Sequence, residues 1–493
     1  MPKSYHSSST LKKIGIIQNS PLVGDFSVNV RSIVQGYREC IDHGAELVVA
    51  PAAALCGMEP EDLASRTSFI QQTQRALKTL SQELGTAPLL LGAYTPIRLE
   101  DELEFLNDDE PTENISLLVP FLLEQGDVTE LDDFAVVDIN GTRIFVAISS
   151  ESVTPEEDVD LIIKLGDSPW NTESPDKEDD NNTWDAKEAQ APLISIYPVG
   201  TAGSHVYGGG SSVYNVQGKA ILQLPYFETS NRVVSLSSRL HAAACPGMGE
   251  LLRLALERGI RDTVCNNGYS GVCLNLDTPN SALLAVLSVN ALGSGNVSGI
   301  TFGKNSDLAK KLGINYQEID TEAVVQTALP LLFNEEDKKE LSERIKASLL
   351  STYAEKRGLM LLSTLSRTQI MLGNYTIYGE SCGYLAPLGN LYEIDLYLLC
   401  HQLREKHSEI IPVMPIPAEN GQDRIIHELA DNNIAAGQIL HPECNYLFKE
   451  NDVRLVQRKI IASALKRSQL PLILRVDSLQ QQKKYPISHR LND

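Results

Sequence analysis

Short apolar runs separated by amphipathic stretches open the chain. Residues 14–18 form one such run, and Val30, Ile33, Val34, Tyr37 and Ile41 then recur at i, i+3, i+4, i+7 and i+11, which predicts a helix. A second apolar run at 46–50 completes a β-α-β opening. Further strands are predicted at 89–93 and 115–119. Runs at 134–139 and 143–148 flank Asn140-Gly141, the preferred pair for a two-residue type I′ turn, and so predict a hairpin. Strands follow at 161–164, 193–197, 212–216 and 220–224, the last two joined through Gln217-Gly218. Two acidic stretches, LEDELEFLNDDEPTE and NTESPDKEDDNN, carry too few apolar residues to bury a face and read as surface loops. Gly208-Gly209-Gly210 reads as a tight β connection, because no strand-then-helix context makes it a phosphate loop.

From Gly249 the pattern changes. Helices at 250–264, 281–292, 307–312, 335–356 and 392–403 alternate with strands at 272–276, 297–302 and 359–363, as in a parallel sheet covered on both faces. The expected organisation is α/β throughout: a first domain over 1–230, a connector over 231–248 ending in HAAACPGMG, and a second domain over 249–493.

Composition narrows the partners. At 493 residues the chain holds several cores' worth of sequence, and 42% hydrophobic content is ordinary for a globular protein. A formal net charge of -22 argues against nucleic acid or an anionic membrane as partner, since both call for clustered Lys and Arg. No apolar run reaches membrane-spanning length, and the N-terminal apolar stretch is too short for a signal peptide. The eight cysteines are scattered without CxxC spacing, and the nine histidines show no metal-ligand spacing. Reduced, mostly buried thiols in a cytoplasmic protein are the expectation.

Several longer segments carry more. IGIIQNSPLVGDFSVN, GAELVVAPAAALCGMEPEDL and YGGGSSVYNVQGKAI lie in the first half. ERGIRDTVCNNGYSGVCLNL, YTIYGESCGYLAPLGNLYEIDLY, LFKENDVRLVQRKI, ALKRSQLPLILRV and KKYPI lie in the second. In this order they resemble the glutamine-dependent NAD synthetases over nearly the whole chain. The resemblance implies a nitrilase-like α-β-β-α sandwich, the glutaminase, fused to a doubly wound parallel sheet of the adenine nucleotide α-hydrolase type, the ATP pyrophosphatase that makes NAD from deamido-NAD with ATP and Mg²⁺.

The residues that the resemblance calls for are largely replaced. A nitrilase-type amidase uses a Cys nucleophile, a Glu base and a Lys that steadies the oxyanion. The Glu position, after Pro51, is Ala52, whose methyl accepts no proton. The Cys position is matched by Ser150, followed by Glu151, and a serine hydroxyl without an adjacent base is a weak nucleophile. The Lys belongs between residues 89 and 134, yet no lysine occurs between Lys78 and Lys164.

The second site departs as far. In place of an SGGxDS loop, which offers backbone N–H groups to pyrophosphate at a helix N-terminus, stand Leu276, Asp277, Thr278, Pro279, Asn280, Ser281 and Ala282. Asp277 brings negative charge, Pro279 has no N–H, and both glycines are gone. An Asx or Ser cap for the helix at 281–292 fits these residues better. The TGNKSE segment is matched by Thr364-Leu365-Ser366-Arg367-Thr368-Gln369, so Gln369 replaces the acidic residue expected to help hold Mg²⁺. Glu380 stands for the Asp of YGD, Gly389 and Glu393 for two lysines. Arg344, Thr364, Tyr378, Gly379, Gly383, Ala386, Lys466-Arg467 and Tyr485-Pro486 persist.

The expectation is therefore a family member without glutaminase or adenylation residues, binding no ATP or Mg²⁺ and associating with itself or with an active NAD synthetase paralogue. The alternatives are a working synthetase, which would use ATP and Mg²⁺, and a silent sensor of nucleotide or NAD.

Overall fold

The computed structural model describes residues 11–96, 116–236, 242, 244–303, 306–332, 334–413, 421–441 and 448–477. The chain divides into two compact units, Met1–Pro246 and Gly247–Asp493.

The first unit begins as the periodicity predicts, with β1 (Lys13–Gln18), α1 (Phe26–Asp42) and β2 (Leu47–Val49). Asp25 caps α1 through Val28 N–H, and Asn29, Ile33, Tyr37 and Cys40 line its buried face. Helix α2 (Thr67–Glu83) and strands β3 (Leu89–Pro96), β4 (Ser116–Glu124) and β5 (Asp127–Glu130) follow, then the hairpin β6 (Ala135–Ile139) and β7 (Thr142–Ile148). Asn140 and Gly141 have φ of 54° and 76°, the pair of positive values a type I′ turn requires. Next come β8 (Leu161–Leu165), α3 (Ser174–Glu188), β9 (Leu193–Ile196), the hairpin β10 (Val199–Ala202) and β11 (His205–Gly208), then β12 (Ser212–Tyr214), β13 (Ala220–Gln223) and β14 (Ser230–Ser235). The three glycines do form a tight connection between β11 and β12. Gly209 and Gly210 have positive φ, and a Cβ on either would fall within 3 Å of Gln18 or Tyr226.

Two six-stranded sheets result, ordered β14-β1-β2-β3-β4-β5 and β13-β12-β9-β8-β7-β6. Ile14, Ile16, Leu47 and Leu90 of one meet Ile144, Ile163, Ile194 and Val213 of the other in a dry inner core. Helices α1 and α2 cover the outer face of the first sheet, and α3 that of the second. This is the expected α-β-β-α sandwich.

Two expectations are corrected here. The stretch NTESPDKEDDNN is not a loop, because α3 starts within it at Ser174, with Pro175 in its first turn. Its buried face is Ser174, Pro175, Asn182, Asp185 and Ala186, mostly polar, so no apolar periodicity announces the helix. Part of the stretch read as connector is β14, which pairs antiparallel with β1 along all six of its residues. The other acidic stretch, LEDELEFLNDDEPTE, lies outside the described residues.

The second unit alternates as expected: α4 (Met248–Asn266), β15 (Gly271–Asn275), α5 (Ser281–Leu292), β16 (Val297–Thr301), α6 (Asp307–Leu312), β17 (Asn315–Glu318), α7 (Glu322–Leu332), α8 (Lys338–Lys356), β18 (Leu359–Leu361), α9 (Arg367–Leu372), β19 (Leu385–Ala386) and α10 (Glu393–His407). The sheet is parallel, ordered β17-β16-β15-β18. Edge strand β17 escapes the hydrophobic pattern because all four of its residues are exposed. Chain order reverses beside β15, so the crevice at the carboxyl ends of β15 and β18 is where an open α/β sheet binds its ligand.

Candidate functional sites

In the first unit, Ala52 follows β2 and is fully buried in the inner core. Gly92 of β3 packs on it so closely that a Cβ there would lie 2.2 Å from the Ala52 carbonyl oxygen. Ser150 follows β7. Its hydroxyl donates to Asp167 Oδ1 at 3.2 Å and accepts the Ser168 N–H at 3.3 Å. Glu151 turns outward to Lys177 at 2.7 Å. The nearest cysteine in sequence to Ala52, Cys56, is fully buried against Thr73, and burial pushes its thiol up to about 11. A thiol held protonated there supplies no thiolate nucleophile.

Around these positions stands a cluster that sequence patterns did not single out. Glu59, at a strained φ of 49°, accepts from His205 Nδ1 at 2.7 Å and Tyr207 Oη at 2.9 Å. Burial, together with the charges of Glu59 and Asp167, pushes the Tyr94 phenol up to about 12 and raises Tyr207 as well. The arrangement is rich in acceptors. A tetrahedral oxyanion calls for donors or a cation instead. The only sequence signal for it was Glu59 and Glu61 flanking Pro60, too common to read.

At the carboxyl edge of the second sheet, the residues matched to the pyrophosphate loop are turned to internal tasks. Asp277 accepts Thr301 Oγ1 at 2.7 Å and the N–H groups of Phe302 and Gly303 at 2.5 and 3.1 Å. The chain's own carboxylate thus occupies backbone donors at the end of β16. Ser281 donates to the carbonyls of Leu276 and Thr278, at 2.8 and 2.7 Å, so its hydroxyl proton is committed inward. The expected side-chain cap is not formed. Asn280 sits at the N-cap of α5 but reaches across to the Thr364 carbonyl at 3.1 Å.

The remaining candidates are also engaged. Gln369 closes a capping box with Ser366, whose hydroxyl donates to Glu393 at 2.5 Å. Glu380 accepts the Thr376 N–H at 3.0 Å. Arg344 pairs with Glu340 at 3.0 Å, and Lys346 with Glu343 at 2.7 Å. Arg367 is buried against Asp431, its guanidinium 5.4 Å from the Tyr392 ring. A Cβ at Gly389 would stand 3.0 Å from Ile473, leaving little room for a lysine stem.

The crevice does bring together Thr278, Thr364, Glu380 and Lys346, but it encloses only about 30 Å³. A ligand of nucleotide size takes several hundred Å³. Arg344 lines a different hollow of about 540 Å³ with Ser348, Ser351, Thr352, Tyr378 and Ser381. Tyr485-Pro486 lies outside the described residues. Among the described residues no group of three His, Cys, Asp or Glu side chains could hold a metal ion, and no helix is long and apolar enough to cross a membrane.

Asp277 is mostly exposed, so its three hydrogen bonds are worth less than buried ones. Asp277→Ala should lower stability by about 1 kcal/mol, read by urea unfolding, because the N–H groups it serves return to water.

Residues 253–418 match the family model for NAD synthase. The chain is 28% identical to a glutamine-dependent NAD(+) synthetase of Synechocystis, covering 81% of this chain and 82% of that protein. It is 22% identical to that of Acinetobacter baylyi, covering 96% and 98%. A solved glutamine-dependent NAD(+) synthetase from Cytophaga hutchinsonii shares the fold with a TM-score of 0.84 at 13% identity, over 97% of this chain and 98% of that one. The enzyme from Acinetobacter baumannii, solved with adenosine diphosphate, gives 0.72 at 20% identity over the same shares.

Proposed function

We propose that the chain is a member of the glutamine-dependent NAD synthetase family and, from the state of its two sites, one without turnover, serving as a structural or regulatory partner in an oligomer with itself or with an active synthetase. The observation that carries this reading is the crevice at the carboxyl ends of β15 and β18. Its accessible space among the described residues is about 30 Å³, and Asp277 holds the neighbouring backbone donors. In the first unit, Ala52 and Ser150 leave an amidase without base or thiolate, and no lysine lies between Lys78 and Lys164 to steady an oxyanion. The cores nonetheless remain apolar and closely packed in both units, which supports continued selection for a folded surface.

A second reading, a working synthetase using ATP and Mg²⁺, is favoured by the names of the relatives and by how much of each they share with this chain. A third, a silent nucleotide sensor, is favoured by the hollow beside Arg344, which is of ligand size. The partner reading predicts no glutamate release from glutamine by the purified chain. It also predicts a mass above monomer in light scattering, or co-purification of a synthetase from the native organism. A monomer that captures no synthetase would overturn it, and saturable nucleotide binding without turnover would favour the sensor.

A further inference from the structure

Strands β13 and β14 stand at the ends of the two sheets of the first unit, and among the described residues β14 pairs with β1 alone. Its far edge is open. Beside it lies a hollow of about 600 Å³, lined by five consecutive residues of β14, 231–235, by Ile221 and Leu222 of β13, by Lys13 and by the C-terminal end of α1. Successive side chains of a strand point to opposite faces, so a hollow that touches five in a row runs along the strand's edge. None of its lining residues belongs to either candidate site.

The wall along that edge is apolar. Ile221 and Val234 belong to the core between the sheets, and Val233 packs against the core beneath α1 and α2, so the hollow is bounded by the backs of two cores. Its volume lies in the range of small-molecule sites. Two cations border it, and in a chain with 64 acidic and 42 basic residues neither has a carboxylate within ion-pair distance among the described residues. Lys13 Nζ donates to the His43 carbonyl at 3.3 Å, at the end of α1. Arg232 donates one N–H to the carbonyl of its neighbour Asn231 at 3.0 Å, and the rest of its fork meets no protein acceptor there. The one acid on the lining, Glu39, is already engaged, accepting the Asn231 amide at 2.7 Å and the Gln35 amide at 3.0 Å. The uncommitted charge is therefore positive.

These two properties select the occupant together. A fully polar anion would leave the apolar wall wet, and a plain hydrocarbon would leave the guanidinium unanswered. We infer that the hollow binds a small aliphatic carboxylate, its head on the Arg232 guanidinium and its chain along Ile221, Val233 and Val234. The planar fork of an arginine matches the two oxygens of a carboxylate, and each methylene laid on the wall strengthens binding about fourfold. The inference stands on the hollow itself and is independent of whether either candidate site turns over.

Isothermal titration of the full chain with sodium octanoate, at ionic strength held constant with chloride, tests it. One saturable site per chain is expected, with acetate at least a hundredfold weaker because it has the head without the chain. Arg232→Gln should weaken octanoate about tenfold or more, and Arg232→Lys, which keeps the charge without the fork, should weaken it less. Arg232 is exposed, so both variants are expected to keep the parent's thermal unfolding, and lost binding would report on the site. No saturable binding of octanoate, acetate bound as tightly as octanoate, or equal octanoate binding by Arg232→Gln would each overturn the assignment.

Discussion

A glutamate placed at position 52 will cost the N-terminal unit about 3 kcal/mol or more and will return no glutamine hydrolysis. Ala52 is fully buried among Ile16, Val49 and Leu90, and Gly92 presses on its backbone. A larger side chain overpacks that core, and a carboxylate in it lacks partners, each effect costing on the order of 1–3 kcal/mol or above. Urea unfolding of Ala52→Glu measures the loss. Pairing it with Ser150→Cys restores two of three chemical groups, but the oxyanion still meets acceptors, and a catalytic constellation works as a unit. Glutamate release by the double variant above that of buffer would mean that another cation takes the missing lysine's place.

Breaking the buried ion pair of Lys164 and Asp185 will be comparably severe. Lys164→Met leaves the Asp185 carboxylate at 0% exposure with Ser152 and the Val153 N–H as its remaining partners, and a cost of about 3–5 kcal/mol is expected. Adding Asp185→Leu should recover most of it, since an apolar pair of similar volume avoids both desolvation penalties. Denaturant midpoints of the single and double variants decide this. A single variant within 1 kcal/mol of the parent, on the scale of an exposed pair, would show that the space around the pair is wet enough to screen the charge.

How much of this was legible beforehand follows from which faces of each element are apolar. Helix α1 could be read because one face of it is apolar and its period survives in the sequence, and strands β1, β2 and β3 because burial on both faces makes them short continuous apolar runs. The hairpin at Asn140-Gly141 was equally clear, since few residue pairs tolerate two positive φ values. Helix α3 was hidden because its own buried face is mostly polar, with Asn182 and Asp185 on it and Asp185 paired to Lys164 of β8. Lys164 itself, a lone charge inside LIIKL, was the visible clue that something polar lay across from it.

At the candidate sites the chain alone shows which residues stand at the matched positions, Ala52, Ser150 and the run from Asp277 to Ser281. What only three dimensions supply is where the substituted side chains go. Asp277 binds the backbone of β16's end, Asn280 abandons its cap for Thr364, and Gln369 closes a capping box. The cluster of Glu59, His205 and Tyr207 joins residues 146 and 148 positions apart, beyond the reach of any local pattern.

The most direct test of the central claim is NAD formation by the purified chain, supplied with deamido-NAD, ATP, Mg²⁺ and either ammonia or glutamine, and followed to long times. A crevice with about 30 Å³ of accessible space, with Asp277 on the neighbouring donors, predicts no NAD above the protein-free control from either nitrogen source. Sustained NAD formation that scales with protein concentration and needs ATP would contradict it, and would make this chain a working synthetase whose nucleotide site opens from the closed form described.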